Sequence, residues 1–322
     1  MPIAFVTGGS GFLGRNLIPY LRARGWTVRA LARSEAAMAA VAQSGAQGVL
    51  GDLTGGASVV EGMKGSDVVL HAAAWAKDWG PYAEAFESNV TGTEKMLESA
   101  KAAGVRRFIH VSTEAVLLGG KPMIQADESW PIPDAPLGTY AKTKALAEKR
   151  VRDAMANGLD TIIVRPRFIW GKGDTTLLPR LVEAARSGAL KWIGGGRYLT
   201  STTHVTNACE GLLCAAERGK PGETYFTSDG SPIPFREMIE KLLMTAGVTP
   251  PTGEVPKWIA HVGAQVMDWS WRTFGLKGEP PVSHAAFHLI GEEVTINDAK
   301  ARREIGYTGS VTREAGLKEM SS

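Results

Sequence analysis

Cysteine is almost missing from this chain: Cys209 and Cys214 are the only two in 322 residues. Their spacing is not C-x-x-C, and two thiols make no disulfide framework, so two reduced core residues are expected. No run of about 18 uncharged apolar residues occurs, which leaves no spanning helix. No basic segment followed by a cleavable apolar run opens the chain, so no signal peptide and a reducing, cytoplasmic setting are expected. Charge of one sign is not concentrated anywhere. With 36 Lys and Arg against 33 Asp and Glu, the net charge is only +3, and no nucleic-acid partner is expected. A metal motif is also lacking. His284 and His288 stand at i and i+4, but neither HExxH nor a third nearby ligand accompanies them, so no metal site is expected.

Glycine, by contrast, is abundant at 38 residues, and Trp (9) outnumbers Tyr (6). The first half alternates short β-branched runs with helical patterns. Strands are expected at 3–7, 27–32, 48–50, 67–71, 107–111 and 161–165, with clear helices over 89–103 and 139–157. Alternation at this spacing predicts an α/β fold, a doubly wound parallel sheet of the Rossmann kind. Uncharged strands such as Val68-Val69-Leu70 suit a sheet covered on both faces. After Trp170 the rhythm breaks into Gly- and Pro-rich pieces separated by helices such as 177–187 and 235–246. We therefore expect a dinucleotide-binding unit of residues 1–171 plus about 200–227. A smaller, mainly helical substrate region would comprise 172–199 and 228–322.

The first strand runs into Thr7-Gly8-Gly9-Ser10-Gly11-Phe12-Leu13-Gly14, which opens a helix. Glycines there permit a tight turn and close approach of backbone to a pyrophosphate, and the helix N-terminus offers free N–H groups to the anion. Where an NAD-binding unit carries an acidic residue at the end of its second strand, this chain has Ala32-Arg33-Ser34. A guanidinium can pair with a 2′-phosphate, which a carboxylate would repel. NADP(H) is therefore the favoured cofactor, with NAD(H) as the alternative. Arg15 is either an assisting contact or a solvated first-turn residue.

Tyr140 and Lys144 stand at i and i+4, on one helix face. A neighbouring ammonium lowers the pKa of a phenol and suits it to proton transfer at a carbonyl oxygen. The spacing alone is weak evidence, but Ser112-Thr113 upstream places hydroxyls at the carboxyl end of a parallel strand, where ligands bind in open α/β sheets. Glycine turn, Ser/Thr and Tyr-x-x-x-Lys together resemble the short-chain dehydrogenase/reductase superfamily, and the length resembles its extended branch. Val28–Arg33 resembles the dihydroflavonol-reductase and 3β-hydroxysteroid-dehydrogenase groups within it.

That resemblance implies further roles. Thr113, or Ser112, hydrogen-bonds the substrate oxygen. Tyr140 transfers the proton, and Lys144 lowers its pKa and holds the nicotinamide ribose. Asp52-Leu53 corresponds to the adenine contact, Ala72-Ala73-Ala74 after His71 to the nicotinamide side, Asn89 to the fourth-helix Asn, and Pro166 to a cofactor-contacting proline. His204–Asn207 and Glu304–Tyr307 look like landmarks of the branch. His71 and His110, at strand ends, receive no catalytic role. Thr113 is followed by Glu114-Ala115, so the paired acids of the dehydratases are incomplete, and Glu114 reads as structural. The expected function is hydride transfer between NADP(H) and the carbonyl or secondary alcohol of a small apolar substrate. A nucleotide-sugar epimerase or dehydratase and a non-catalytic NADP-binding sensor are the alternatives. By analogy, helices 89–103 and 139–157 are candidates for a homodimer interface.

From 256 to 276 the chain is rich in Trp and aliphatics, and Trp258, Val262, Val266 and Trp269 follow helical spacing. Three readings stand: an amphipathic core helix, an apolar wall over the substrate, or an interfacial membrane contact.

Overall fold

In the computed structural model, which describes residues 1–77 and 79–321, seven parallel strands form the central sheet. They are β1 (Ile3–Thr7), β2 (Thr27–Ala32), β3 (Gln47–Leu50), β4 (Val68–His71), β5 (Arg107–Val111), β6 (Asp160–Pro166) and β7 (Thr224–Thr227). Their order across the sheet is β3-β2-β1-β4-β5-β6-β7. The order reverses at β1, and the cleft outside that reversal is where open α/β sheets bind ligands. The seventh strand was not legible as one in Thr224-Tyr225-Phe226-Thr227. It forms because β6 offers an open edge, which Tyr225 and Phe226 join opposite Val164 and Arg165.

Alternation along the strands builds two cores. Ala4 and Val6 of β1 face Leu17, Ile18 and Leu21 of the helix Phe12–Arg22, together with Cys209 and Leu212 of the helix Val205–Arg218. Phe5 points the other way, into Met63, Met96, Leu97 and Phe108. A period of two with both faces covered accounts for the continuously apolar strands. Cys209 and Cys214 are buried free thiols.

A second, four-stranded sheet runs Ile233–Pro234, Leu199–Thr200, Val294–Ile296 and Met123–Ala126. Met123–Ala126 was expected within the dinucleotide-binding unit. It pairs with Val294–Ile296, so the first 171 residues lend a strand to the four-stranded sheet. The cause lies in sequence just after β5, where Val116, Leu117 and Leu118 bury against Phe226, Ala285 and Val294.

The Trp-rich segment is the helix Lys257–Phe274, with Ala264 its one buried residue. It is not a core helix. Trp258 is 70% exposed, Val262 52%, Val266 55% and Trp269 60%. Its inward face carries Ala260 and Ala264, packed with Ile193 and Phe287, and also His261 and Asp268, which meet His284. No helix among the described residues is long and apolar enough to cross a membrane.

Candidate active site

The glycine turn is held by contacts that tolerate no side chain. Gly8 has φ +71°, and a Cβ there would lie 2.7 Å from the Ala73 nitrogen. A Cβ on Gly14 would lie 2.2 Å from the Gly8 oxygen. The turn therefore packs backbone on backbone, with the Gly11 N–H donating to the Gly8 carbonyl at 3.0 Å. The helix Phe12–Arg22 starts at Gly11 without a side-chain cap, so its first N–H groups are available to an anion.

A cleft of about 640 Å³ opens over this turn. Of the sequence-predicted cofactor residues, it is lined by Gly8, Ser10, Gly11, Arg33, Asp52, Leu53, Ala72, Ala73 and Ala74. The strand ends β1, β2, β3 and β4 bring these together. Arg33 is exposed at the rim. Hydrogen bonds from the Thr54 hydroxyl and amide, helped by Arg33, hold Asp52 below the usual carboxylate range.

Other predicted residues support the cleft rather than line it. Gly9 and Gly14 pack against neighbouring backbone and side chains, Phe12 is buried, and Leu13 rests on the core. Thr7 is buried, and its hydroxyl accepts from the Ala73 N–H at 3.2 Å and meets His71 Nδ1 at 2.8 Å. Asn89 is saturated: it accepts from the Trp75 N–H at 2.7 Å and donates to the Trp75 carbonyl and Thr143 hydroxyl, each at 3.0 Å. It sits on a widened π-turn, Glu87–Thr91, a feature common at functional sites. Its amide clamps the segment after β4 to the helix Thr139–Ala156. Pro166 ends β6, buried opposite Thr227.

The helix Thr139–Ala156 carries Tyr140 in its first turn and Lys144 one turn later. Lys144 is buried. Its ammonium donates to the Val111 carbonyl at 2.8 Å and lies 3.0 Å from His110 Nε2. It thus docks the Tyr140 helix on the last residue of β5. Burial pushes the Lys144 pKa down to about 7, although Glu148 pulls the other way. Burial also keeps His71 and His110 neutral, His71 at about 3. The two imidazoles stack with centroids 5.5 Å apart.

The adjacent hydroxyls part company. Ser112 donates to Glu148 Oε1 at 2.6 Å. Glu148 also accepts from Arg165 Nε at 2.8 Å and Arg152 at 3.0 Å, so Ser112 is committed to a buried ionic network. Thr113 lies at the end of β5, accepts from the Ala115 N–H at 3.2 Å and donates to Glu114 Oε2 at 2.8 Å. Glu114 in turn pairs with Arg167, both side chains buried.

Sequence reasoning missed His110 as the partner of Lys144, and Thr93, which meets His71 Nε2 at 3.0 Å. It also missed Arg167. A histidine two residues before the Ser-Thr pair was the one available signal for the first. The others are separated by tens of residues and share no motif.

Against known proteins, a family model described as the 3-beta hydroxysteroid dehydrogenase/isomerase family matches residues 5–256. A relative from Stigmatella aurantiaca, named 4-hydroxy-2-methyl-3-oxo-4-farnesyl-3,4-dihydroquinoline-1-oxide ketoreductase, is 49% identical over 97% of this chain and 94% of its own. A 2-alkyl-3-oxoalkanoate reductase of Stenotrophomonas maltophilia is 34% identical over 98% of each chain. The dTDP-glucose 4,6-dehydratase DesIV of Streptomyces venezuelae, solved with NAD and TYD bound, matches with a TM-score of 0.77. The match covers 99% of this chain and 95% of that one. At 24% identity, that last likeness concerns the fold alone.

Proposed function

This chain belongs to the 3-beta hydroxysteroid dehydrogenase/isomerase family, and from that premise we propose that it reduces the ketone of a small apolar substrate with NADPH in the cytoplasm. It is an oxidoreductase of the ketone–alcohol class, and its cofactor is a nicotinamide dinucleotide. The single observation that carries the site assignment is Lys144, whose ammonium ties the Tyr140 helix to the end of β5 beside the glycine cradle.

The cradle fits the cofactor. Gly8 and Gly14 leave backbone where any Cβ would intrude, and the uncapped helix start supplies N–H donors for the pyrophosphate. Arg33 at the rim supports NADP(H), because a guanidinium can take a 2′-phosphate in two charge-assisted hydrogen bonds. Bound there, the nicotinamide supplies the hydride that adds to the carbonyl carbon. Thr113, whose hydroxyl rests on Glu114 in the free protein, turns that single O–H to the carbonyl oxygen when substrate binds and orients it. Tyr140 gives its phenolic proton to that oxygen as the alcohol forms. Lys144 stabilises the resulting phenolate and holds the nicotinamide ribose. The reverse direction runs the same proton back to Tyr140.

The apolar substrate class is supported by the two relatives, whose names describe ketone substrates with farnesyl or alkyl substituents. Dehydration is disfavoured because Glu114 is spent on Arg167 and Thr113 and Ala115 follows it. For assembly, we extend the reading to a homodimer through the helices over 89–103 and 139–157.

The test is NADPH consumption with a panel of apolar ketones, for the wild type and Tyr140→Phe. Turnover by the wild type, lost in the variant while NADPH binding persists, is expected. Normal turnover in Tyr140→Phe would overturn the assignment, and tight NADPH binding with no reduction of any ketone would point to a sensor.

A further inference from the structure

The sequence pairs His284 with His288 one helical turn apart, and two imidazoles make no metal site. The fold adds a third. The helix Lys257–Phe274 turns His261 inward, and the ligand-capable atoms of His261, His284 and His288 all lie within 4.8 Å of one another. His284 Nε2 and His288 Nε2 are 3.2 Å apart. The His261 ring lies parallel to that of His284, tilted by 15° with centroids 5.5 Å apart.

Two further observations mark this as more than crowding. First, His288 Nδ1 is held by Glu292 Oε2 at 2.6 Å, and Glu292 Oε1 is anchored by Lys257 at 2.8 Å. A carboxylate on one ring nitrogen fixes the tautomer and turns the other nitrogen's lone pair outward, as in carboxylate–histidine–zinc arrangements. That lone pair, on Nε2, points at His284. Second, the inward polar face of the helix Lys257–Phe274 runs against the usual pattern. Its Trp and Val stripe faces out while His261 faces in.

We propose that His261, His284 and His288 form a three-nitrogen site for a borderline divalent cation, zinc foremost. Glu292 acts as the carboxylate that orients His288, and water fills the fourth position. Zinc–nitrogen bonds of about 2.0–2.1 Å need ligand atoms roughly 3.3 Å apart in a tetrahedron. The His284–His288 pair has that separation already, and His261, whose Nε2 meets Gln265 at 3.2 Å, closes on it from within 4.8 Å. Three imidazoles without thiolate favour zinc, copper or nickel over magnesium or calcium. The site joins the Trp-rich helix to the helix His284–Ile290. That second helix packs against Gly138, just before Tyr140, where a Cβ would lie 2.8 Å from Ala285 Cβ. The metal therefore braces the substrate side of the fold and takes no part in the proton transfer, so the proposal stands apart from the assignment of Tyr140.

The test uses the untagged full chain, stripped with a chelator and titrated with cobalt(II) alone, then with zinc(II). One equivalent of cobalt should give the intense visible bands of four-coordinate geometry, and zinc should bleach them. Zinc should also raise the melting temperature of the wild type. His261→Gln and His284→Gln should abolish both responses, and Glu292→Gln should weaken cobalt affinity about 10- to 100-fold. NADPH binding by each variant verifies that it is folded, and the partly exposed His261 provides the variant least exposed to misfolding. Absence of the bands in wild type, or their persistence in His261→Gln, would overturn the site.

Discussion

Lys144 and His110 meet inside the protein, with the ammonium nitrogen 3.0 Å from the imidazole Nε2. The imidazole is neutral and accepts at Nε2, which places its proton on Nδ1. That nitrogen is buried without a hydrogen-bond partner among the described residues. The pair shows a lysine poised to lose its charge, because burial lowers its pKa to about 7.

A stability dependence on pH follows. The unfolded Lys144 titrates near 10.4, above its folded value. Folding is therefore penalised fully below about pH 7, and the penalty fades as pH rises toward 10. Lys144→Met should raise the melting temperature of the cofactor-free protein most at pH 6, with the gain shrinking by pH 9. Thermal melts across that range check it. A gain that grows with pH would mean the ammonium is not desolvated in the folded state.

Ser112 and Thr113 should separate cleanly under mutation. Thr113→Val removes the hydroxyl assigned to the substrate oxygen, and kcat should fall roughly 10²- to 10³-fold, as for an oxyanion donor. Ser112→Ala leaves Glu148 Oε1 short of a donor and should cost about 1–3 kcal/mol of stability while sparing kcat. Steady-state kinetics paired with denaturant melts distinguish them. A larger kcat loss in Ser112→Ala would reverse the assignment.

Arg33→Asp should invert cofactor choice. Loss of a charge-assisted contact worth about 1.5–3 kcal/mol weakens NADPH roughly 10- to 100-fold, and the introduced carboxylate suits a free ribose. Fluorescence titrations with NADPH and NADH provide the readout. An unchanged preference would remove Arg33 from the site.

Gly14→Ala puts a methyl 2.2 Å from the Gly8 carbonyl oxygen. Backbone must move, and that backbone is the cradle. NADPH affinity should drop by at least about tenfold, and the melting temperature should fall with it. Gly25→Ala is the comparison. Gly25 has φ +82° but nothing within 4 Å of its Cβ position, so only stability should fall there.

Sequence periodicity reached the parallel sheet because strands buried on both faces are continuously apolar, and that signal is local. The glycine turn and the Tyr140–Lys144 spacing were legible for the same reason, since each is contained within nine consecutive residues or fewer. The edge strand Thr224–Thr227 was not, because four residues carry too little pattern and the open edge of β6 decides their conformation. Nor was the pairing of Met123–Ala126 legible, because its partner, Val294–Ile296, lies some 170 residues on.

By itself, then, the sequence determined the parallel sheet, the backbone-on-backbone glycine turn and the helix carrying Tyr140 and Lys144. These depend on residue type at short spacing. Tertiary structure alone decided which of two neighbouring hydroxyls is free of the Glu148–Arg165 network. It also placed His110 against Lys144, turned the Trp258–Trp269 stripe toward solvent, and brought His261 to His284 and His288. Each of these depends on which distant surface a side chain is packed against, and no spacing along the chain encodes that.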